Sequence, residues 1–428
     1  MKNTERRRFS GGTLLMLAAT VLVLAGTFFV LARLSSGKPV DLTRLRPGAL
    51  ALQTAETAPA ETPQAQRAEE AAPTAAPAVQ PVQASDVPAE KSFTLTVGGT
   101  VALAGEVRSN SYYSDVKQFD YYDIMTLLKK ELRSDINIVF LENILSTDEK
   151  ASDTVAAGAA LSMLKAAGID AAACGFARAF DKGEAGVLST RKLLSEYGIQ
   201  ALGVYENGSD SVRITEANGV KAAILQYTNS MQQSVRKNMA RNGQADMVPA
   251  ADAEQIAADI ANAKRQGCDA VIVLVQWGST GKAPDRNMKA LAQQIADAGA
   301  DLIIGNGSRI VSGAETLTAS GTGRKVLCVW SLGTVLSGDR SNIRRMAGML
   351  LHVTVCAENG QAEIREACYT PLYTWKYKMD GRFYYRCLPA NGYVPDGMAS
   401  DQQKQMQKAA ETVRNAMKDA PLEEREVE

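Results

Sequence analysis

The sequence predicts an α/β fold in which two mixed β-sheets pack face to face, are flanked by helices and follow one transmembrane helix. Short apolar runs at 136–141, 269–277 and 301–305 alternate with helical segments, which is typical of buried strands joined by helices. Hairpin-like strand pairs follow in the C-terminal third and favour two packed sheets over a single doubly wound one. An uncharged, mostly apolar run at 10–32 supplies the membrane segment.

The N-terminal part is predicted to form an anchor and a spacer. The segment 10–33 contains an apolar run long enough to cross a hydrocarbon core of about 30 Å as a helix. Three arginines at 6–8 favour a cytoplasmic tail at 1–9. Residues 34–90 are rich in Ala, Pro, Glu, Gln and Thr and predict a disordered spacer. We therefore expect a single-pass protein of the cell membrane with an extracytoplasmic domain, and a cleaved signal peptide is the alternative.

The predicted domain spans 91–395, and its elements follow hydrophobic periodicity. Strands are expected at 93–97, 136–141, 169–174, 213–217, 220–228, 269–277 and 301–305, then near 311–317, 325–333, 349–358 and 361–369. Helices are expected at 120–133, 154–167, 182–197, 251–266 and 285–298. The Asn218-Gly219 pair is typical of a hairpin turn between strands. A polar helix at 401–418, within the tail 396–428, is placed outside the core.

The composition limits the chemistry. Lys and Arg together number 47, as do Asp and Glu, so no net charge favours nucleic acid as a partner. His352 is the single histidine, which excludes a metal site with several imidazole ligands. We interpret it as a histidine of the core or of a sheet face. The six cysteines are interpreted as buried thiols, and Cys356 with Cys368 is the pair best placed for a disulfide.

Six segments in order resemble the CapA family of bacterial capsule and poly-γ-glutamate synthesis proteins. They are TLTVGGTVALAGEV, INIVFLEN, LKAAGIDAAACGFARAFDKGEAGVLST, DAVIVLVQWGS, GADLIIGNGSRIV and VLCVWSLGTVL. The family has Gly-Asp, Asn-Leu-Glu, Asn-Asn-His with Asp-x-Gly, His-Trp-Gly, Gly-His-x-His and Ser-Leu-Gly-Asn at the corresponding places. The resemblance implies a calcineurin-like metallophosphatase fold on a membrane anchor.

The resemblance also implies where metal ligands would stand in this chain. Most of these positions have residues that do not suit a metal site: Gly99, Arg178, Gln276, Asn306 or Gly307, Arg309 and Thr334. Glu142 and Asp181 keep their carboxylates. A two-metal site needs several converging ligands, and arginine brings a fixed positive charge instead. The sequence therefore predicts a protein without a metal, a cofactor or a catalytic residue at this site.

Two functions stay open at this point. The first is a catalytically inactive binding or scaffold subunit in the assembly or export of capsule, poly-γ-glutamate or another envelope polymer. The alternative is a divergent, active CapA-type metal-dependent hydrolase or phosphoesterase. The expected partners are the cytoplasmic membrane, an anionic polymer and membrane proteins of polymer synthesis.

The emptied site has two interpretations of its own. Its turns bring a candidate anion-binding set together: Arg178, Gln276, Asn306, Ser308 and Arg309. Guanidinium and amide groups there are suited to a carboxylate or a phosphate. Alternatively, the two arginines pair internally with Glu142 and Asp181 and fill the vacated site.

Overall fold

The computed structural model describes residues 91–147, 150–207, 212–358 and 360–427. The predicted anchor at 10–33 and the predicted spacer at 34–90 lie outside the described residues. Among the helices of the described ranges, none is long and apolar enough to cross a membrane.

The described chain alternates strands and helices through its first two thirds and then forms long antiparallel strands. The strands are β1 (Lys91–Val101), β2 (Tyr112–Tyr113), β3 (Gln118–Phe119), β4 (Ile136–Leu141), β5 (Ile144–Ser146), β6 (Val155–Ala157), β7 (Ala171–Ala173), β8 (Gln200–Leu202), β9 (Arg213–Ala217), β10 (Val220–Thr228), β11 (Ala270–Gln276), β12 (Leu302–Asn306), β13 (Ala314–Thr318), β14 (Lys325–Val329), β15 (Thr334–Leu336), β16 (Ala347–Glu358), β17 (Gln361–Met379), β18 (Arg382–Pro389) and β19 (Glu423–Glu424). The α-helices are α1 (Gly105–Asn110), α2 (Ala160–Ala167), α3 (Gly183–Glu196), α4 (Gln233–Arg241), α5 (Ala253–Arg265), α6 (Arg286–Ala298) and α7 (Ser400–Met417). Short 3₁₀ helices lie at Tyr122–Leu128, Ala245–Met247 and Ile343–Arg345.

Two large mixed sheets organise these elements. The first has the order β18-β17-β16-β1-β4-β7-β8, with β15 beside β1 and β19 beside β17. The second has the order β13-β14-β12-β11-β10-β9. Strands β1, β4, β7 and β8 run parallel in the first sheet, as do β10, β11, β12 and β14 in the second. The carboxyl ends of these parallel strands are where polar side chains can meet.

Side-chain alternation shows that the two sheets pack face to face. In β4, Ile138 points into the core between the sheets, whereas Val139 packs on the outer face. In β11, Ile272 faces the same inner core, and Val273 faces the outer layer that contains α5 and α6. Strands with both faces buried need apolar residues at every position, which explains the continuous runs in the sequence. The two-sheet architecture predicted from the sequence is confirmed.

The helices of the second sheet begin where acidic caps predict. The Asp252 carboxylate accepts hydrogen bonds from the backbone N–H groups of Glu254 and Gln255 at the start of α5. At the start of α6, the Asp285 carboxylate accepts one from the N–H group of Met288. These carboxylates satisfy donors that a first helical turn leaves unpaired. The predicted helices at 251–266 and 285–298 are therefore reproduced within two residues at each end.

Two predicted helices are wrong in extent. The segment 120–133 contains only the 3₁₀ helix Tyr122–Leu128, and its later residues continue as a loop into β4. The segment 154–167 begins as strand β6, which pairs with β5, and becomes helical only at Ala160. In the second case Thr154 and Val155 are β-branched and the following Gly158 interrupts a helix, so local propensity favoured the strand.

The placement of the C-terminal helix outside the core is also wrong. Helix α7 buries Met406, Ala409, Ala410, Val413 and Met417 in the core between the sheets. These residues recur every three or four positions and form a narrow stripe of small and flexible side chains on a polar helix. The tail 396–428 therefore does not lie apart from the domain at 91–395, since β19 also pairs with β17.

The cysteine interpretation is partly corrected. Five thiols are buried and that of Cys368 is half-buried, as predicted for small core residues. However, Cys356 lies opposite Glu363, whereas Cys368 lies opposite His352. Cys356 is four residues from His352 along β16, or about 13 Å of strand. A disulfide needs Cα atoms less than about 7 Å apart, so this register does not allow the Cys356–Cys368 pair.

His352 is a buried histidine on the outer face of the first sheet. Its Nδ1 atom lies 3.0 Å from Thr96 Oγ1, and its Nε2 atom lies 2.9 Å from Thr370 Oγ1. Burial, together with the nearby Arg425 guanidinium, lowers the pKa of His352 to about 3. The imidazole is therefore neutral at neutral pH and satisfied by its neighbours, which confirms its interpretation as a histidine of the sheet.

Neutral burial of His352 predicts a specific acid sensitivity. The unfolded chain takes up a proton near the ordinary pKa of about 6.5 and the folded chain does not. The free energy of unfolding should therefore fall as the pH drops from 6.5 towards 3. Between about pH 7.5 and about pH 5 this residue should cost about 2 kcal/mol. Urea unfolding of wild type and His352→Gln at both pH values should show the wild type losing about 2 kcal/mol more, and equal losses would contradict this origin.

Candidate functional site

The candidate site lies where the carboxyl ends of strands from both sheets meet. Thr100 stands near the end of β1, Glu142 follows β4, Gln276 ends β11, Asn306 ends β12, and Arg309 lies in the turn after β12. The chain leaves the second sheet after β14 and enters the first at β15, which pairs in parallel with β1. This crossing brings the two sets of strand ends into hydrogen-bonding contact.

Glu142 is the centre of the site. Its side chain is 6% exposed and accepts hydrogen bonds on both carboxylate oxygens. Gln276 Nε2 and Thr100 Oγ1 each donate to Oε1 at 3.0 Å. Arg309 donates to Oε2 through Nε at 3.0 Å and also through Nη2. The charge of a buried carboxylate is thus balanced by a guanidinium and two neutral donors.

Further hydrogen bonds orient these donors. Asn306 Nδ2 donates to Thr100 Oγ1 at 2.9 Å, so the Thr100 hydroxyl proton is directed at Glu142. Ser331 Oγ in turn donates to Asn306 Oδ1 at 3.3 Å. Asn306 is fully buried and Ser331 nearly so, and they join the strand ends of both sheets in one polar network. Such a network is stable only when its members find partners.

Arg309 is held in an unusual backbone conformation. Its φ of 57° lies in the left-handed region, which is rare for a residue with a side chain. Thr334 Oγ1 donates to the Arg309 carbonyl oxygen at 3.1 Å and fixes this turn. The turn thereby directs the Arg309 side chain, which is 36% exposed, inwards to the buried Glu142 carboxylate. Strained residues are maintained where surrounding contacts determine them, as they do here.

Gly99 lies where the chain cannot accept a side chain. A Cβ atom there would stand 3.0 Å or less from three backbone atoms, namely Gly333 O, Gly333 C and Leu332 O. The register of β1 against β4 shifts between Gly98 and Thr100, so Gly99 occupies an irregular point of the strand. An aspartate at position 99 would require the crossing between the sheets to move. The backbone itself, as well as the residue type, thus excludes a ligand here.

Two of the five predicted anion-site residues do not belong to the network around Glu142. Arg178 Nε donates to Asp181 at 2.6 Å, and both side chains are substantially exposed. Ser308 is buried, and its hydroxyl donates to the carbonyl oxygen of Ile310 at 3.0 Å within its own turn. The structure therefore brings together Gln276, Asn306 and Arg309 around Glu142, but not Arg178 or Ser308.

Both carboxylates at which the resemblance implies metal ligands are paired with arginine. Glu142 pairs with Arg309, and Asp181 pairs with Arg178. This geometry corresponds to the internal pairing that the sequence left open beside anion binding. Anion binding by these arginines stays a prediction, and a ligand would have to compete with the two carboxylates.

An apolar scaffold beneath the site determines the shape of its turn. Trp277 is fully buried, and its Nε1 donates to the Trp330 carbonyl oxygen at 3.0 Å. The two indole rings pack at a centroid distance of 5.6 Å. Gly307, with φ of 121°, passes directly over the Trp277 backbone, where a Cβ atom would collide. The Asn306-Gly307 turn is therefore shaped by contact with Trp277.

The residues present do not fit a two-metal centre. Glu142 is the single carboxylate of the network, and both of its oxygens already accept hydrogen bonds. Gln276 Oε1 is buried without a hydrogen-bond partner, and one amide oxygen does not make a metal site. Over the described parts of the chain, no group of three or more His, Cys, Asp or Glu side chains is arranged to hold a metal ion.

Sequence reasoning missed Thr100 and Ser331 as members of the network. Thr100 follows Gly99, the position at which the resemblance implies a metal ligand. A polar β-branched residue at the buried end of an apolar strand is the signal that would have indicated it, since buried hydroxyls need partners. Ser331 lies within the segment VLCVWSLGTVL, and its residue type alone gives no sign of a role in the site.

The fold and the site define a two-sheet α/β protein whose strand-end site is closed by an internal ion pair. The model of the bacterial capsule synthesis protein family PGA_cap matches residues 94–339, which is more than half of the chain. The protein belongs to this bacterial capsule synthesis family.

The chain is also similar to part of a named relative and to several solved structures. Over 129 residues the chain is 30% identical to the capsule biosynthesis protein CapA of Bacillus anthracis, and this match covers 29% of the chain and 31% of CapA. The chain thus matches about a third of the length of that relative. Among solved structures, the calcineurin-like phosphoesterase YfkN of Bacillus subtilis has a TM-score of 0.41 and 13% identity over 76% of this chain and 99% of YfkN. A phosphatase of Mycoplasma pneumoniae has a TM-score of 0.37 and 14% identity over 66% of this chain and 94% of that phosphatase.

The two arginine–carboxylate pairs predict very different stability effects. Arg309→Gln leaves the buried Glu142 without its cation and should lower the free energy of unfolding by about 2–4 kcal/mol. Arg178→Gln breaks an exposed pair and should cost less than about 1 kcal/mol. Urea unfolding at neutral pH measures both values.

The double variant Glu142→Gln/Arg309→Gln is the control for this comparison. It removes both charges together, so it should recover most of the stability lost in Arg309→Gln. Similar losses in Arg178→Gln and Arg309→Gln, or no recovery in the double variant, would show that Glu142 does not depend on the Arg309 charge.

Proposed function

We propose that this capsule synthesis family member is a membrane-anchored, extracytoplasmic protein that has lost metal-dependent catalysis. In this proposal it acts as a binding or scaffold subunit in the assembly or export of an envelope polymer. The alternative is a divergent hydrolase or phosphoesterase that uses a non-standard site. The interaction that supports loss of catalysis is the Arg309–Glu142 ion pair.

The ion pair supports the proposal by its charge and by its position. A divalent cation beside Glu142 would lie next to a permanently charged guanidinium, and the two cations would repel each other in a partly desolvated site. The guanidinium already supplies the positive charge that a buried carboxylate requires. Arg309 thus takes the structural role of a cation without offering an open coordination position for a substrate.

The remaining groups are poor candidates for catalysis without a metal. Gln276, Asn306 and Thr100 are neutral hydrogen-bonding groups and do not titrate near neutral pH. His352 belongs to a different hydrogen-bonding network, with Thr96 and Thr370, and is held neutral by burial. A general base therefore has to come from Glu142, whose oxygens are occupied by donors.

Metal analysis of the purified full-length chain tests loss of catalysis. After incubation with Mn²⁺, Fe²⁺ or Zn²⁺ and removal of unbound metal, we expect far less than one ion per chain. Hydrolysis of p-nitrophenyl phosphate and of bis-p-nitrophenyl phosphate should be equal in wild type and Glu142→Gln. One or more tightly bound ions per chain, together with hydrolysis that Glu142→Gln abolishes, would establish the alternative enzyme.

The membrane anchor is proposed from the N-terminal sequence. The apolar run at 10–32, preceded by arginines at 6–8, supports an uncleaved segment with the domain outside the cytoplasm. Protease added to intact, wall-stripped cells should cut within the Ala- and Pro-rich segment 34–90 and release the domain. Complete protection of the domain until the membrane is permeabilised would contradict this orientation.

A further inference from the structure

A large polar cleft opens at the end of β1 opposite to the Glu142 network. Its volume is about 650 Å³, and its main lining residues are Thr94, Lys130, Glu131, Arg133, Ser134 and Arg425. Thr94 and Thr100 are six residues apart on the same strand, or about 20 Å. The cleft is therefore separate from the strand-end site and is not explained by the proposed loss of catalysis.

Two distant parts of the chain build the cleft. Residues 130–134 precede β4, and the C-terminal segment lies across from them. Strand β19 pairs with β17 at Cys368 and Tyr369, and the Arg425 N–H group donates to the Tyr369 carbonyl oxygen at 2.8 Å. The Arg414 guanidinium grips the Glu424 carboxylate with two hydrogen bonds, at 2.6 and 2.8 Å. These contacts fix the segment that presents Arg425.

Positive charge exceeds negative charge in this cleft. Lys130 and Arg133 are exposed and make no ion pair with any residue in the described ranges. Arg425 is 46% exposed, and its Nη1 atom lies 4.0 Å from Glu131 Oε2, which is the limit of an ion pair. Glu426 adds one further carboxylate to the lining. The lining thus contains three cationic and two anionic side chains. The guanidinium groups of Arg133 and Arg425 retain N–H groups that can donate to a ligand.

His352 lies beside Arg425 but does not compensate its positive charge. Arg425 Nη1 lies 3.3 Å from His352 Nδ1 and can only donate, so Nδ1 is the acceptor. The imidazole proton then lies on Nε2, which donates to Thr370. His352 is therefore neutral and orients Arg425 without compensating its charge. Thr96 links the same histidine to the cleft, because its Oγ1 lies 2.6 Å from Ser134 Oγ.

Glu131 supplies a second and independent indication of a ligand. Its side chain is 7% exposed, and its Oε2 atom is buried without a hydrogen-bond partner. A buried carboxylate oxygen that lacks a donor is costly, and native proteins rarely leave one. Because Arg425 stands at 4.0 Å, it does not satisfy this oxygen. A hydroxyl group of a bound molecule would satisfy it once the carboxylate turns towards the cleft, since the oxygen has no exposed surface in the present rotamer.

We propose that this cleft binds an oxyanion that also bears hydroxyl groups, such as a sugar phosphate or a sugar acid. The guanidinium groups of Arg133 and Arg425 and the ammonium group of Lys130 grip the phosphate or carboxylate, because charge-assisted hydrogen bonds to oxyanions are strong. Ser134 Oγ, whose proton is donated to Thr96, and Glu131 Oε2 each accept a hydrogen bond from a sugar hydroxyl. The cavity is of the size that proteins use for small-molecule ligands.

Calorimetric titration of the full-length chain tests this site with four probes. Glucose 1-phosphate and glucuronate combine an oxyanion with hydroxyl groups, sulfate is an oxyanion without a donor, and glucose is uncharged. We expect both sugar anions to bind, sulfate to bind at least several-fold more weakly, and glucose not to bind. The affinity of the sugar anions should fall as KCl is added, because the cations are exposed.

Matched variants locate the binding. Lys130→Ala/Arg133→Ala should weaken both sugar anions at least tenfold. Lys129→Ala/Lys237→Ala removes the same charge from exposed positions outside the cleft and should leave the affinity unchanged. Glu131→Gln should reduce the preference for glucose 1-phosphate over sulfate. Circular dichroism should show the same fold in the two charge variants, since the substituted lysines and Arg133 are exposed. The fold should also persist in Glu131→Gln, because glutamine has nearly the same size and shape as glutamate.

Three outcomes would overturn the proposal. They are the absence of sugar-anion binding at millimolar concentration, equal weakening by the cleft variant and the control variant, and binding of glucose as tight as that of glucose 1-phosphate. None of these outcomes bears on metal content or on hydrolysis. The cleft and the loss of catalysis can therefore fail separately.

Discussion

A single buried carboxylate sets the requirements of the strand-end site. Glu142 lies between two packed sheets, and a charge in that position is stable only with a counter-charge and well-placed donors. Arg309 supplies the charge, and Gln276 and Thr100 supply the donors. The left-handed turn at Arg309 and the Asn306–Thr100 hydrogen bond both serve this arrangement. In a metal enzyme, bound cations would balance the charge of such a carboxylate. The ion pair and a metal centre are therefore alternative ways to stabilise it, and they exclude each other.

Close backbone packing excludes a side chain at position 99. The crossing from β14 to β15 places Gly333 against Gly99, at a distance that leaves no room for a side chain at position 99. Position 99, where the family resemblance implies a metal ligand, is therefore part of the contact between strands. A ligand there would need a new backbone path as well as a new side chain.

Much of the core was predictable, because buried strands in a two-layer protein must be apolar on both faces. The runs at 136–141 and 220–228 form buried strands at the predicted residues. Helix α7 was misplaced because Met406, Ala409 and Val413 make a stripe too narrow to stand out in a polar segment. For the site, the sequence identified Gln276, Asn306 and Arg309, but Arg178 and Ser308 bond within their own loops. Side-chain direction in a turn depends on local backbone angles, and residue spacing does not encode them.

By itself, the sequence determined the class of the fold, the family and the absence of a multi-histidine centre, because these depend on residue types and on their order. The tertiary structure alone decided which charges compensate each other. Arg309 and Glu142 are 167 residues apart and meet only because the two sheets stack and their strand ends coincide. The cleft of Lys130, Arg133 and Arg425 likewise depends on a C-terminal strand returning to the first sheet. Electrostatic interactions depend on distance in space, and the order of residues along the chain does not fix that distance.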